Sequence, residues 1–439
     1  MALTGEAPKH DWSLPDKRGR LDIEDENEYA SAAAGAPVLD VAEAERYAEA
    51  LSAFDVTDVG SSAWLDQHQR LVKLNLQAHQ SAMARADEYV LEALQTFGKV
   101  PLLVRELLLV EAWKEFALPD LLKSPRLRSG RCNMRLYFTL YHEATVANLL
   151  EAALYRRHAC AEAGDALVDL VDYCVRKIVL LNSTRRFSKP KPEAADAKAL
   201  AAELEERDPV KELLAQADDV EFRCCVTAVT MLRFICEHIA ALPLGVATRL
   251  LDTHDVLLGI VPLIENPPWT RRLDSGKWQK FIDFKWQDVK PADLLKLTRL
   301  EAQVWLALFH LVTQPECRRR YHINAFRKAA LLRARRYVND VLLDQLPVLA
   351  DVQRFMDELA IADVPEPSQD PVSAGLLMEQ VPQVRETIVR GRDWAAVAAQ
   401  QIDDVFGRVE DATDPDLRRI GQLYQDDALE SILDPAAAQ

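Results

Sequence analysis

Apolar residues recur along much of this chain at intervals of three and four positions. One such stripe consists of Leu167, Leu170, Val171, Cys174, Ile178 and Leu181. A second consists of Leu297, Leu300, Val304, Leu308, Leu311 and Val312. This spacing gathers the apolar side chains on one face of an α-helix. Both stretches are therefore predicted to be helices with one buried face.

The stretch from residue 100 to residue 110 is apolar nearly all round a helix. Such a composition predicts a helix that packs on more than one side. Gly98 can end the preceding helix, and Pro101 suits the first turn of the new one.

A short segment departs from the helical pattern. Four apolar residues there share the parity of a β-strand: Trp278, Ile282, Phe284 and Trp286. Ser275 and Gly276 give a turn signal upstream, although Phe281 breaks the alternation. We predict a short β-hairpin near 275–287.

Few glycines are available for turns, only 14 in 439 residues, which disfavours a β-sandwich or barrel. The chain exceeds the length that one hydrophobic core usually organises. We predict an all-α protein with an armadillo/HEAT-like helical solenoid, although no stretch repeats at a fixed period.

Breaks in the helical pattern divide the chain. We predict a disordered tail at 1–36, an N-terminal helical domain at 37–184, a linker at 185–208, a C-terminal helical domain at 209–433 and a tail at 434–439. The linker contains Lys-Pro-Lys-Pro followed by charged and alanine-rich sequence. A second break falls at 364–371, where prolines are frequent.

The formal net charge of −16 disfavours wholesale binding to nucleic acid or to an anionic membrane. The N-terminus has no apolar core typical of a secretory signal, and no uncharged run approaches the roughly 18 residues of a membrane span. Ala2 excludes myristoylation. We therefore expect a cytoplasmic protein.

Sequence motifs of catalysis are incomplete. His142-Glu143 resembles the start of a zinc-protease helix, but Val146 occupies the place of the second histidine ligand. No phosphate-binding loop, dinucleotide fingerprint or nucleophile elbow occurs. We expect no catalytic residue, no metal ligand and no cofactor.

The seven cysteines include no C-x-x-C pair. Cys224-Cys225 and Cys236-Glu237-His238 suggest a metal or redox site, but adjacent helical residues point about 100° apart. We interpret them as small apolar residues of a helix core.

Two surface features are candidate partner-binding sites. The first is a basic segment with no acid between its members, which are Arg318, Arg319, Arg320, Arg327, Lys328, Arg333, Arg335 and Arg336. It predicts a positive ridge for an acidic partner, unless acids elsewhere in the fold neutralise it. The second is Trp269 with Arg271 and Arg272 after two prolines, a combination typical of binding hot spots. The other tryptophans fit core packing.

Ordered blocks of sequence extend from about residue 58 to residue 432. The main ones begin at Trp64-x-x-Gln67-His68, Gly98-Lys99-Val100-Pro101, His142-Glu143-Ala144, Leu170-Val171-Asp172-Tyr173, Pro268-Trp269, Gln303-Val304-Trp305, Leu342-Leu343-Asp344 and Glu379-Gln380-Val381-Pro382. In these blocks the chain resembles the MYND-zinc-finger axonemal dynein assembly factors.

The resemblance implies a non-enzymatic adaptor for preassembly and stability of axonemal dynein heavy and intermediate chains. It also implies work with a leucine-rich-repeat dynein assembly factor, an FK506-binding immunophilin and an Hsp90-class chaperone. The cytoplasm is the implied location, with dynein assembly particles or centriolar satellites as places within it.

The family ends in a MYND finger that binds two zinc ions, and this sequence stops at Gln439 where the finger would begin. The resemblance leaves open whether a finger follows in the native protein or is naturally lacking. Two other hypotheses remain: a homodimerising or peptide-groove binding module unrelated to chaperoning, and an unrecognised enzyme.

Overall fold

A computed structural model describes residues 37–130, 133–183, 187, 208–362, 381–407 and 413–425. Within them the protein is mostly helical, with one small antiparallel sheet. The predicted all-α class with a short hairpin is thus confirmed, whereas the armadillo/HEAT-like arrangement stays a prediction.

The elements follow one another with short connections. The first group is α1 (Val41–Ala50), α2 (Ser62–Ala84), α3 (Tyr89–Thr96), α4 (Val100–Phe116), α5 (Leu118–Leu121), α6 (Pro125–Arg128), α7 (Asn133–Leu154), α8 (Arg157–Ala163) and α9 (Ala166–Ser183). The second group is α10 (Pro209–His238), α11 (Leu244–Thr248), α12 (Val256–Glu265), β1 (Thr270–Arg272), β2 (Trp278–Ile282), β3 (Lys285–Val289), α13 (Arg299–Thr313), α14 (Pro315–Arg320), α15 (Ala325–Arg335), α16 (Asp340–Gln345) and α17 (Leu349–Ile361). The last group is α18 (Val384–Val389), α19 (Trp394–Gln401) and α20 (Pro415–Gln425), with π-helical turns at Arg249–Thr253 and Ile402–Phe406.

Helix ends are set by local sequence chemistry. Asp40 with Glu43 closes a capping box on α1, and Thr298 with Glu301 does so on α13. Gly98 takes a positive φ of 59° just after α3, a conformation that a side chain disfavours. The predicted helix boundaries at Gly98 and Pro101 are confirmed.

Helix α10 runs through the middle of the fold and packs against α7, α9 and α13. By length and composition, Pro209–Ala241 could cross a membrane, and it alone passes that test among the described residues. However, 78% of its most apolar window is buried inside the fold. Its apolar surface is therefore already covered by neighbouring helices.

The sheet has the order β1-β2-β3, and both pairings are antiparallel. Two consecutive residues with positive φ, Asp283 and Phe284, form the tight turn between β2 and β3. Phe281 faces Trp286 across the hairpin, and both rings contact Phe222 of α10. These ring contacts fasten the sheet to the central helix. Strand β1 was not predicted.

The end of the described chain returns to its beginning. We call the stretches 381–407 and 413–425 the C-terminal strap. The guanidinium of Arg135 donates to the carboxylates of Asp414 and Asp416, and Trp113 Nε1 donates to Gln401 Oε1 at 2.8 Å. All five side chains are buried. The strap is thus joined to α4 and α7 by specific polar contacts.

A single hydrophobic core extends from Leu39 to Ile420. Helices on both sides of the predicted linker contribute to it. The linker itself, apart from Phe187 and Asp208, lies outside the described residues, as do the predicted tails 1–36 and 434–439 and the break at 364–371. The division into two domains stays a prediction.

Candidate partner-binding site

A cleft of about 170 Å³ opens between the sheet, the end of α12, α13 and α16. Most of its wall is apolar. The wall includes Leu263, Ile264, Trp269, Leu297, Val304 and Trp305. These side chains converge because α12 and α13 direct their apolar faces toward the connection that leads into β1. The cleft is therefore an apolar recess built from four separate parts of the chain.

Trp269 connects the predicted hot spot with this cleft. Its side chain is only 1% exposed, so it is part of the cleft wall and not a protruding anchor. Its backbone carbonyl accepts a hydrogen bond from Phe281 N at 2.8 Å, which fixes it to the sheet. Within the described residues, its indole Nε1 is buried without an acceptor.

Lys280 supplies a buried charge to the same cleft. Its ammonium group donates to the carbonyl oxygen of Lys296 at 2.8 Å and to Glu301 Oε2 at 3.0 Å. An ammonium has three protons, and these two contacts use two of them. The cleft thus combines apolar walls with a partly satisfied cation.

Arg271 and Arg272 lie on opposite faces of β1, because successive strand residues alternate. The guanidinium of Arg271 stacks 3.9 Å from the ring centroid of Trp286, and burial lowers its pKa. Arg272 is exposed and lies over Trp278. Neither residue lines the cleft, so the structure separates them from Trp269.

The predicted basic ridge falls on α14, α15 and the residue that follows. Arg319 and Arg320 both pair with Glu316, and Arg327 pairs with Asp255 at 2.7 Å. One acid of α14 itself and the N-cap residue of α12 therefore neutralise part of the ridge.

The rest of the ridge is also engaged. Arg333 and Arg336 share Glu265, and Arg335 pairs with Asp357. Lys328 donates to the carbonyl oxygen of Ala362 at 2.7 Å, and Arg318 lies over the ring of Phe355. Only four acids form ion pairs with the eight basic residues, so the ridge keeps an excess of positive charge. Its partner-binding role stays a prediction.

The ridge and the cleft are neighbours. Glu265, which holds Arg333 and Arg336, ends α12 directly before the cleft wall, and Tyr337 both follows the ridge and lines the cleft. The structure thus brings together two features that the sequence presented separately.

Sequence reasoning missed a cluster of buried charges. Lys177 Nζ lies 2.7 Å from Glu143 Oε1 and 2.6 Å from Glu221 Oε1, and Lys114 contacts the same two carboxylates. Tyr173 also donates to Glu143 at 2.9 Å. Two lysines and two glutamates form a charge-balanced set at the meeting point of α4, α7, α9 and α10.

Burial and pairing oppose each other in this cluster. Burial alone would raise the pKa of the Glu221 carboxyl, but Lys177 and Lys114 outweigh it and hold that pKa well below its usual range. Burial would lower the pKa of Lys177, yet the carboxylates raise it well above its ordinary value. One sequence signal was available: Lys177 falls on the apolar stripe of α9, three positions after Cys174.

His142 belongs to a second buried polar group. Its Nδ1 lies 3.0 Å from Nδ1 of His68, so one ring donates and the other accepts. The Glu106 carboxylate lies 3.9 Å from His142 Nε2, and Trp64 packs on His142. Burial lowers the pKa of His68 to about 3 and raises the pKa of Glu106 to about 7.

No group of His, Cys, Asp or Glu in the described part of the chain suits a metal ion. Cys160, Cys174, Cys224, Cys225, Cys236 and Cys317 are all free and buried, whereas Cys132 lies outside the described residues. Burial raises the pKa of Cys160 to about 12, which disfavours a reactive thiolate. The interpretation of these cysteines as core residues is confirmed.

Comparison with known proteins gives a relative but no structural template. No protein-family model and no solved structure matches the chain. Among curated proteins it is similar to the zinc finger MYND domain-containing protein 10 homolog of Drosophila melanogaster. The two are 29% identical over 348 residues, which cover 78% of this chain and 72% of the relative. The comparison therefore supports the resemblance to a MYND-domain-containing protein over most of this chain.

Proposed function

We propose that this chain is a non-enzymatic cytoplasmic adaptor that holds axonemal dynein heavy and intermediate chains during their preassembly. The observation that carries the proposal is the relationship to the Drosophila MYND protein over 78% of the chain. The sequence blocks that resemble dynein assembly factors extend over the same helical body.

The geometry of the body supports binding in preference to chemistry. The buried charged side chains, such as Lys177 and Glu221, are engaged with one another inside the core. On the surface, an apolar cleft lies beside a ridge with excess positive charge. Apolar recesses flanked by charge are typical of protein recognition.

The proposed partners extend beyond the dynein chains. They are a leucine-rich-repeat dynein assembly factor, an FK506-binding immunophilin and an Hsp90-class chaperone, with action in the cytoplasm, in dynein assembly particles or at centriolar satellites. We propose no cofactor, nucleic acid or membrane for the described body.

The test is the abundance of axonemal dynein heavy chains in ciliated cells that lack the protein. We expect heavy-chain levels to fall, and to return when the chain is expressed again, because unheld clients misfold and are degraded. Immunoblots of cytoplasmic extracts provide the measurement. Normal heavy-chain levels in the deficient cells would contradict the proposal.

A second candidate function is a homodimerising or peptide-groove module unrelated to chaperoning. The apolar cleft beneath the sheet favours this alternative specifically. Light scattering over a range of concentrations separates the two, because a homodimer gains mass without any client.

A further inference from the structure

The cleft beneath the sheet has the size of a site for one side chain. A cavity of about 150 Å³ in another protein accommodates a benzene ring, and the present cleft measures about 170 Å³. Leucine, isoleucine, methionine or phenylalanine would fit such a space. The apolar wall formed by Leu263, Val304 and Trp305 suits these side chains and none that is charged.

The rim of the cleft is apolar and exposed. Leu295 lines the cleft with 64% of its surface exposed, and Tyr337 lines it with 39% exposed. Large exposed apolar residues beside a recess are features of interaction sites. A bound segment would cover both residues while its anchor fills the recess.

Two residues of the cleft wall carry buried hydrogen-bond donors that lack a full set of acceptors, which favours an occupant that offers acceptors. Trp269 Nε1 is buried without an acceptor among the described residues, and the ammonium of Lys280 has one proton beyond its two contacts. A buried donor is strongly stabilised when it acquires an acceptor. Backbone carbonyl or carboxylate oxygens next to the apolar anchor would supply it.

The charges around the cleft determine which sign of charge is favoured on a bound segment. Lys280 pairs with Glu301 and Lys296 with Asp293, so the positive excess at the edge of the cleft comes from the ridge. There Arg333 and Arg336 share the single acid Glu265. This local excess of positive charge lies on a chain whose formal net charge is −16. An acidic segment is attracted to this place and repelled by much of the remaining surface.

We propose that the cleft binds an acidic segment of a partner protein through one bulky apolar side chain flanked by aspartate or glutamate. This inference rests on the proposed adaptor function and names the chemistry of the segment that is held.

The experiment is a selection from a random peptide library against the full 439-residue chain at low salt. We expect the enriched peptides to share one large apolar residue next to acidic residues. The dissociation constant of the best peptide, measured by fluorescence anisotropy, should rise about tenfold in Leu295→Asp and in Tyr337→Asp, as for a hot-spot contact.

Leu244→Asp is the matched control, because Leu244 is 56% exposed and does not line the cleft. It should leave the dissociation constant within about twofold, as a neutral surface change does. Leu295→Ala provides a milder variant if an aspartate disturbs folding, and circular dichroism verifies each fold.

Four results would overturn the inference: no enrichment, enriched peptides without the acidic and apolar pattern, equal affinity in the rim variants, or equal loss in the Leu244→Asp control. Self-association that Leu295→Asp abolishes would identify a second copy as the occupant and would also overturn it. Restoration of dynein heavy-chain levels by the rim variants in deficient cells would reject the cleft while leaving the adaptor function in place.

Discussion

Individual buried charges in this protein are stable only as members of a set. Lys114, Lys177, Glu143 and Glu221 share one region of the core, where each ammonium group contacts both carboxylates. Removing a charged side chain from water is costly, and a partner at hydrogen-bond distance offsets that cost. The loss of one member therefore leaves another charge buried without compensation.

Replacing Lys177 tests this dependence. Lys177→Met should lower the free energy of unfolding by about 3–5 kcal/mol, since it leaves an excess buried carboxylate. The double variant Lys177→Met with Glu221→Gln should recover part of the loss, because the excess charge is gone. Urea unfolding provides the measurement. Lys296→Met, at an exposed site, should change the value by less than about 0.5 kcal/mol. A double variant no more stable than Lys177→Met would argue against coupling of the two charges.

Buried histidines give the protein a sensitivity to acid. The pKa of His68 falls to about 3, that of His310 to about 3 and that of His79 to about 4, mainly through burial. An unfolded chain takes up these protons below its ordinary histidine pKa of 6.5, whereas the folded chain does not. Stability is therefore complete above pH 6.5 and is lost as the pH falls toward these depressed values.

Glu106 acts in the opposite direction. Its pKa of about 7 in the folded state exceeds the ordinary value of 4.5, so its contribution is complete below pH 4.5 and is lost as the pH rises through 7. Three histidines outweigh this one carboxyl between pH 6.5 and pH 4.5.

The variant His68→Gln should reduce the dependence of stability on pH. Between pH 6 and pH 4.5, the free energy of unfolding of the variant should fall less steeply with decreasing pH than that of the wild type. The difference in slope should be about 1.4 kcal/mol per pH unit, which is the contribution of one proton. Urea unfolding at successive pH values measures the slope. His322→Gln replaces an exposed histidine and serves as the control. Equal slopes in wild type and His68→Gln would contradict the assignment.

Among the elements, the C-terminal strap is held by a remote helix cap. The carboxylate of Asp169 on α9 accepts hydrogen bonds from the backbone N–H groups of Gln383, Val384 and Arg385. These groups start α18 and have no partner within a helix. A side chain distant in sequence thus caps the N-terminus of α18, a role that an adjacent serine or aspartate usually has.

Asp169→Asn should loosen the strap. An amide retains one oxygen and loses the charge that favours a helix N-terminus, so we expect a loss of about 1–2 kcal/mol. Hydrogen exchange should accelerate across α18 and α19 and remain unchanged in α2. Asp351→Asn, at an exposed aspartate paired with Arg354, is the control. Unchanged exchange across α18 would show that the cap is dispensable.

The elements differ in how far the sequence predicts them. Helix α9 has a regular apolar stripe, and α13 adds a capping box, so local pattern is sufficient. Strand β1 contains Thr270, Arg271 and Arg272, which show no alternation, and it forms only because β2 offers an edge. Such pairing is a tertiary effect that no local window contains.

The candidate site was predictable in its parts but not in its assembly. Three of the four acids that neutralise the ridge, Asp255, Glu265 and Asp357, lie far from its segment in sequence, so no count of charges near that segment finds them. The burial of Trp269 likewise depends on α12, α13 and the sheet together. Its residue type indicated binding, whereas its place in a cleft wall required the fold.

At the scale of the whole molecule, charge is distributed unevenly. The chain is strongly acidic, yet the basic ridge from Arg318 to Arg336 retains more cations than its acidic partners neutralise. Fields of this kind steer association and weaken as salt is added.

Charge reversal on the ridge tests its use by the proposed dynein client. Arg318→Glu with Arg336→Glu should weaken binding to a dynein heavy-chain fragment at low salt, and the difference should shrink at high salt. Arg354→Glu with Arg390→Glu makes the same change of charge at exposed sites elsewhere. Calorimetry over a salt series measures both. Equal affinities for the two double variants would show that the ridge is a solvent-exposed surface that does not contribute to client binding.

The return of the C-terminal strap has a consequence for biosynthesis. The hydrogen-bond partner of Trp113, Gln401, is translated 288 residues later. The partner of Arg135, Asp414, is translated 279 residues later. At about 5–20 residues per second, a ribosome needs roughly 15 to 60 seconds to supply those partners. During that interval α4 and α7 emerge without the contacts that complete their burial. A nascent chain of this protein therefore requires protection from aggregation until its last helices have been translated.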